Sequence, residues 1–370
     1  MKAIIRADAS IHIGSGHIMR CLVLADELKQ HGYSVTFVMR PQQGDMFDFV
    51  VKRGFTALAL PATPAITPKH NADYEGWLQT SLHEELEGFF TTVIAADLMI
   101  VDHYGITCDW ERQVRSHYRC PLIVIDDLMR EHDANLIIDQ TLARKADSYA
   151  TSSVENVLTG IDFALINQGF AKWHEQQKQR LHQQTNTDIH QHRILLTMGG
   201  IDQPNATLRV LQTLQEQQTE VQLQALKERI PVTVLLSPKA LHYQAVSEYC
   251  KEHTDWITHI DFTDDMAEMM QRHTIAIGAA GSTSWERACL GLPSIVVPLA
   301  DNQKYICQSL VEHGLSLSVS LDDINTHLVS SLQNLMANHS IMQQRNLALC
   351  DGLGVKRVMN HISELLKATK

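Results

Sequence analysis

The chain has 370 residues, a formal net charge of -11 and 44% hydrophobic residues. That length fits two domains rather than one, each able to bury a core, and the acidic balance excludes a broad nucleic-acid surface, which has to be basic. No apolar run approaches the roughly 18 residues of a membrane span, and the N-terminus starts directly on a strand, so neither a transmembrane segment nor a cleaved leader is expected.

In chain order, short apolar runs alternate with amphipathic stretches. Strands are expected at 3–7, 34–39, 56–60, 98–102, 122–125 and 136–138, with helices at about 17–30, 73–90 and 109–117 among those between them. This is the rhythm of a parallel sheet covered by helices on both faces. A Gln- and His-rich segment at 176–191 reads as the end of a helix and a linker. The rhythm then restarts, with strands at 193–197, 232–236, 256–259, 275–277 and 294–297. Helices are expected at 206–217, 240–250, 264–272, 284–290 and 302–312, and the tail from 322 to 370 is helical in pattern. The expected domains are 1–165, a helix and linker at 166–192, a second domain at 193–345 and a helical tail at 346–370. Seven scattered cysteines without a CxxC pair predict reduced thiols in a cytoplasmic protein. Most of the twenty histidines fall in polar stretches and are read as surface residues. His190 and His192 belong to the solvated linker rather than to a metal site, because no Cys or second His pair completes a ligand set.

Three glycine loops carry the chemistry. The first, Ile13-Gly14-Ser15-Gly16-His17, joins the first strand to the first helix. Bare backbone at Gly14 and Gly16 can meet an anion there, and His17 can take a proton near neutral pH. A plain tight turn is the alternative. The second, Met198-Gly199-Gly200-Ile201-Asp202, ends the first strand of the second domain and opens a helix with Pro204 in its first turn. The third, Gly278 to Glu286, exposes N–H and hydroxyl donors at Gly281, Ser282 and Thr283, which suit a diphosphate. Glu286 follows one turn later, where a carboxylate can accept hydrogen bonds from the vicinal hydroxyls of a ribose. Helix capping by Ser or Thr accounts for the same residues and is compatible with that role.

The order of these segments resembles the MurG-like group of the two-domain GT-B superfamily and, within it, the pseudaminic-acid-pathway UDP-sugar hydrolases. The resemblance rests on Arg6-Ala7-Asp8 running into Gly14-Ser15-Gly16-His17-Ile18-Met19-Arg20, and on Val101-Asp102-His103-Tyr104-Gly105, Ile125-Asp126-Asp127 and Gly199-Gly200-Ile201-Asp202. It rests further on Gly281-Ser282-Thr283-Ser284-Trp285-Glu286, Leu290-Gly291-Leu292-Pro293 and Asp301-Asn302-Gln303. It implies an α/β protein of GT-B type, two doubly wound Rossmann-like domains facing a cleft. It also implies hydrolysis of UDP-2,4-diacetamido-2,4,6-trideoxy-β-L-altropyranose to UDP and the free sugar, on the way to pseudaminic acid for bacterial surface glycans. His17 then becomes the general base. Gly281, Ser282 and Thr283 hold the diphosphate, Glu286 holds the ribose, and the uracil is read by the segment containing Thr263 and Met266. The chain is longer than compact members of that group.

A nucleoside diphosphate is a good leaving group, so one base suffices where ordinary glycosidases need two carboxyl groups. The expected step is inverting attack of water on the anomeric carbon, with His17 taking the proton. Asp8 or Asp102 orients or polarises that base, and Arg6 and Arg20 are sources of positive charge, Arg20 otherwise being a solvated helix residue. Strand-end position assigns sugar contacts to His103 and Tyr104, and Asn302 and Gln303 offer amides to sugar or phosphate, with helix capping by Asp301 as the rival reading. No cofactor and no metal are expected, since the adjacent pairs Asp126-Asp127 and Asp264-Asp265 diverge on a strand. The only partner expected is a small-molecule UDP-sugar. Rival activities on the same scaffold are UDP-sugar-dependent glycosyl transfer and UDP-sugar 2-epimerisation. A nucleotide-sugar-binding regulator is the rival from another class.

Overall fold

The computed structural model describes all residues except 71, 153, 155, 184–191, 219–228 and 369–370; His190 and most of the Gln/His linker therefore lie outside the described residues. Two compact units are present, Met1–Ile166 with Leu353–Lys370, and Asn167–Gly352.

The strands of the first unit are β1 (Lys2–Ala7), β2 (Ser34–Met39), β3 (Thr56–Ala59), β4 (Leu98–Asp102), β5 (Leu122–Ile125), β6 (Leu136–Asp139) and β7 (Asn156–Thr159). They form a parallel sheet in the order β3-β2-β1-β4-β5-β6-β7. Its helices are α1 (Gly16–Gln30), α2 (Phe47–Lys52), α3 (Tyr74–Trp77), α4 (Leu82–Thr92) and α5 (Cys108–Tyr118). The second unit holds α6 (Gly169–Gln183), β8 (Ile194–Thr197), α7 (Ala206–Gln218), β9 (Val232–Leu235), α8 (Tyr243–Glu252), β10 (Ile257–Ile260), α9 (Met266–Gln271), β11 (Ile275–Ala279), α10 (Thr283–Cys289), β12 (Ser294–Val297), α11 (Asp301–Glu312), β13 (Ser316–Ser318), α12 (Ile324–Ala337) and α13 (His339–Leu349). Its parallel sheet runs β10-β9-β8-β11-β12-β13. The final helix, α14 (Gly354–Ala368), returns to the first unit.

The central strands are apolar on both faces, as helices on each side require. On one face Ile5, Ile100, Ile123 and Ile138 pack with Ile18, Leu24 and Leu28 of α1. On the other, Ile4, Met99, Val101 and Val124 pack with Phe89 of α4 and Trp110 of α5. The strand order changes direction between β1 and β4 in one sheet and between β8 and β11 in the other. Chains leave in opposite directions at such a point and open a crevice at the carboxyl ends of the strands.

Four expectations are corrected. The helix expected at 73–90 is two, because Gln79 takes a left-handed φ of 61° and Ser81 starts α4 afresh with a capping box to Glu84. The Ser-x-x-Glu signature was in the sequence. Residues 354–368 are part of the first unit: Val355, Val358, Met359, Ile362 and Leu366 form one apolar stripe in the α1 core, each side chain contributing roughly 1.5–3 kcal/mol at full burial. The short edge strands β7 and β13, Asn-Val-Leu-Thr and Ser-Leu-Ser, lack the apolar runs that marked their neighbours. His132 and His174 are buried rather than superficial, because the Nδ1 atom of each has a fixed partner, Glu111 Oε1 and the Cys289 carbonyl, both at 2.8 Å.

Candidate active site and nucleotide loop

The chain leaves β1 and turns through residues 8–15 into α1. Ser10 organises the turn: its Oγ accepts from the N–H groups of His12 and Ile13 at 3.2 and 3.1 Å, and its carbonyl accepts from Gly14 N–H at 2.8 Å. Gly14 has a φ of 78°, a conformation that favours glycine. Gly16 has no such need, and a Cβ there would meet nothing within 4 Å. The chain's own packing does not account for that bare, exposed position.

His17 lies in the first turn of α1 and is 7% exposed. Its Nδ1 is 2.5 Å from Oδ1 of Asp102, the last residue of β4. Arg20, one turn along α1, donates from Nε and Nη2 to the two oxygens of the same carboxylate, both at 2.6 Å. Burial alone would raise the Asp102 carboxyl. The Arg20 guanidinium, with His17, outweighs it and holds the group well below the usual carboxylate range. An ionised Asp102 only accepts, so in the neutral imidazole the proton sits on Nδ1 and Nε2 carries the lone pair. Among the described residues Nε2 has no hydrogen-bond partner. Asp102, and not Asp8, is therefore the residue that orients His17.

The network continues outward. Arg20 Nη1 donates to Asp127 Oδ2 at 3.1 Å, and Tyr104 Oη donates to Asp127 Oδ1. Burial, with the Asp127 charge, pushes the Tyr104 hydroxyl well above its ordinary value, so it remains a donor. The Tyr104 ring stands edge-on to His17 at 4.6 Å between centroids, Trp77 stacks on Tyr104 at 5.7 Å, and Tyr74 lies 5.1 Å from Tyr104. A Cβ on Gly105 would collide with the Tyr74 carbonyl, so Gly105 is what lets α3 approach. Arg20, one of whose readings was a solvated helix residue, is 6% exposed and bound to two carboxylates. Tyr74, Trp77 and the role of Asp127 were not read from the sequence. Asp127 lies in the Ile125-Asp126-Asp127 segment, whereas nothing local marks Tyr74 and Trp77.

Arg6, Asp8 and His103 belong to a separate layer beneath. Arg6 donates to both Asp8 oxygens and to Glu85, and Arg40 donates to Glu85 and, from its backbone, to Asp8. His103 Nε2 is 3.3 Å from Asp8, and its Nδ1 accepts from Gly105 N–H at 3.0 Å. All three are 2% exposed or less. Burial lowers the His103 imidazole despite Asp8, favouring its neutral form. The roles expected of these residues, positive charge from Arg6, an orienting carboxylate at Asp8 and a sugar contact at His103, do not fit this layer: Arg6 and Asp8 are paired with each other and with Glu85 or Arg40, and His103 is buried against Asp8 and the Gly105 turn.

In the second unit the loops after β8 and β11 flank the change in strand direction. Gly199 has a φ of 83°, with open space where a Cβ would lie, and Gly200 follows, half-buried. Asp202 accepts from the N–H groups of Ala206 and Thr207 at 2.8 and 2.9 Å, so α7 starts on an Asp202 cap, after Pro204. A Cβ at Gly281 would also meet nothing within 4 Å, and Ser282 is the N-cap of α10 without a side-chain capping bond. Thr283 and Ser282 are half-buried. Glu286 Oε2 is enclosed and has no hydrogen-bond partner among the described residues. Burial pushes its carboxyl up to about 7, the neighbouring Arg287 opposing.

Thr263 Oγ1 accepts from Asp265 N–H at 3.2 Å and Asp265 caps α9, which places Met266 at the start of that helix. Gln303 Oε1 accepts from Leu299 N–H at 2.9 Å, so its oxygen is engaged by the loop before α11. The N-cap of α11 is Ala300 without a side-chain bond; Asp301 does not cap but pairs with Lys304 at 2.6 Å. The Asn302 side chain lies outside the described residues. Asp126 and Asp127 stand just past β5 and diverge to different partners, Asp126 to Arg130 and Tyr149. Among the described residues no group of three or more His, Cys, Asp or Glu is placed to hold a metal ion, and no helix is long and apolar enough to cross a membrane.

Residues 194–362 match the glycosyltransferase family 28 C-terminal domain. The chain is 23% identical over 316 residues to the UDP-2,4-diacetamido-2,4,6-trideoxy-beta-L-altropyranose hydrolase of Campylobacter jejuni, a match covering 85% of this chain and 97% of that protein. Among solved structures it superposes on MurG of Acinetobacter baumannii with a TM-score of 0.62 at 14% identity, covering 98% of this chain and 99% of the other. It superposes on CalG4, the calicheamicin glycosyltransferase, with a TM-score of 0.64 at 13% identity, covering 99% and 98%. The chain is a GT-B-fold protein of two Rossmann-like units, with a glycosyltransferase family 28 C-terminal match in its second half and a distant sequence relationship to a UDP-sugar hydrolase.

Proposed function

We propose that this protein is a UDP-sugar-dependent enzyme that displaces UDP from the anomeric carbon with inversion, His17 being the base. The observation that carries the reading is the His17–Asp102 pair: a buried, ionised carboxylate fixes the proton of the neutral imidazole on Nδ1 and leaves Nε2 without a partner among the described residues. A nucleophile's O–H placed there loses its proton to Nε2 as the new bond to the anomeric carbon forms, and the bond from that carbon to the diphosphate oxygen breaks. Asp102 and Arg20 stabilise the imidazolium so produced, as an oriented carboxylate does in other base-assisted displacements. The second unit contributes the nucleotide contacts. Gly281, Ser282 and Thr283 face the diphosphate, the enclosed Glu286 oxygen accepts from the ribose hydroxyls, and the segment with Thr263 and Met266 reads the base.

The match to a glycosyltransferase domain and the likeness to transferase structures support an acceptor hydroxyl as the nucleophile, that is, glycosyl transfer. A second reading, hydrolysis of the UDP-diacetamido-trideoxy sugar by water, is supported by the Campylobacter relative, which matches along 97% of its length. Incubation with that UDP-sugar and no acceptor separates them. Stoichiometric free sugar of inverted configuration supports hydrolysis, dependence on an added sugar acceptor supports transfer, and a 2-epimer retaining UDP supports epimerisation. In every case except the last, His17→Ala is expected to lower kcat by about 10^3-fold with UDP affinity intact. Near-wild-type turnover would sink the base assignment.

A further inference from the structure

Arg287 stands on α10 behind the loop after β11 and is 1% exposed. Its Nη2 donates to the Ala279 carbonyl at 3.0 Å and to Ser284 Oγ at 2.9 Å, and its Nη1 lies 3.5 Å from Thr283 Oγ1. Ser284 Oγ also accepts from Gly281 N–H at 3.4 Å, so the guanidinium is tied to both ends of the loop. A Cβ at Gly278 would lie 2.9 Å from Nη1, so a glycine in β11 makes room for it.

No carboxylate pairs with this cation among the described residues, and its Nε is buried without a partner. The equally buried Arg6 and Arg40, and Arg20 at 6% exposure, are each matched to Asp or Glu. A buried charge without a counter-ion is expensive. Burial pushes the guanidinium down to about 10, with the neighbouring Glu286 charge opposing; at neutral pH it remains a cation. All its described contacts are neutral oxygens, and they belong to the loop that carries Gly281 and Thr283.

We propose that Arg287 is the built-in counter-charge for the diphosphate of the nucleotide, acting through the 279–284 loop, and that it sets the preference for a nucleoside diphosphate over a nucleoside. The inference rests on the UDP-binding reading above. It makes Arg287 a positioning residue: the charge lies behind the loop, and the loop's amides and hydroxyls make the contacts. A cation held in a poorly screened site attracts an anion several ångströms away far more strongly than one in water does.

The test is isothermal titration of the full chain with UDP and with uridine, for wild type, Arg287→Gln and Arg287→Lys. Gln keeps a donor for the Ala279 carbonyl and drops the charge, whereas Lys keeps the charge and drops the planar fork. The expected result is an about tenfold loss of UDP affinity in Arg287→Gln, with uridine affinity within about twofold of wild type and most of the UDP preference kept by Arg287→Lys. Equal losses for UDP and uridine, or equal losses of UDP in both variants, would mean that Arg287 is only a strut and overturn the proposal. Wild-type protein that binds UDP no better than uridine would instead overturn the UDP reading itself. If Arg287→Gln does not fold, Arg287→Lys decides alone: loss of the UDP preference with the charge retained refutes the counter-charge.

Discussion

Around His17 the buried charges are already matched to one another. Asp102 is bound by His17 and Arg20, Arg20 by Asp102 and Asp127, and Asp127 by Arg20 and Tyr104. Around α10 they are left unsatisfied: Glu286 Oε2 and Arg287 Nε are both buried without partners. Both regions flank the change in strand direction of their own sheet, His17 following β1 and α10 following β11. A network closed on itself holds a reactive group at fixed geometry before substrate arrives, which suits a base. A cluster with open valences stores a cost that a ligand can relieve, which suits binding.

That contrast fails most visibly if Asp102→Asn is benign. The expected outcome is a roughly 100- to 10,000-fold drop in kcat, together with a stability loss of roughly 3–5 kcal/mol in urea titrations, because Arg20 loses the main partner of its buried charge. Glu286→Gln should behave in the opposite way. UDP affinity should fall about tenfold, while unfolding in denaturant at pH 8 shows no loss of stability or a small gain. The sign follows from the carboxyl: its folded value of about 7 lies above the unfolded one, so ionisation above that range costs stability, and the Gln side chain removes the cost. Wild-type UDP affinity should also weaken from pH 8 to pH 6, and that slope should flatten in Glu286→Gln.

His132 extends the comparison to a charge-matched cluster away from the site, where it faces Glu111 and Asp126. Burial alone would lower its imidazole, but the Asp126 and Glu111 carboxylates beside it prevail and hold it up to about 9. A histidine raised above its unfolded value of about 6.5 contributes stability that is complete below that pH and lost as pH rises through about 9. Stability measured at pH 6.5 and 9.5 should therefore differ by a few kcal/mol, and the difference should shrink in His132→Gln. Unchanged pH dependence in that variant would remove His132 as its cause. The smallest effect on folding is expected of Gly16→Ala, whose methyl meets only open space: thermal unfolding should stay near wild type while turnover falls. Gly105→Ala, by contrast, drives a methyl into the Tyr74 carbonyl and should cost about 1–3 kcal/mol.

The central strands, most helices and the glycine loops were legible because their causes are local: runs of apolar residues, glycines at turns, a base one residue past Gly16. Local pattern was enough to read two doubly wound units in tandem, and to put His17, Gly281 and Glu286 where strands give way to helices. Which side chains meet follows from the packing of distant segments. Asp102 reaches His17 across 85 residues, and Glu85 reaches Arg6 across 79. Trp77 is brought to Tyr104 by a broken helix and by the bare Gly105. Periodicity encodes what faces the core within one element. Which buried charge finds a partner, as Arg20 does and Arg287 does not, depends on the register of strands far apart in the chain, and no local pattern carries that information.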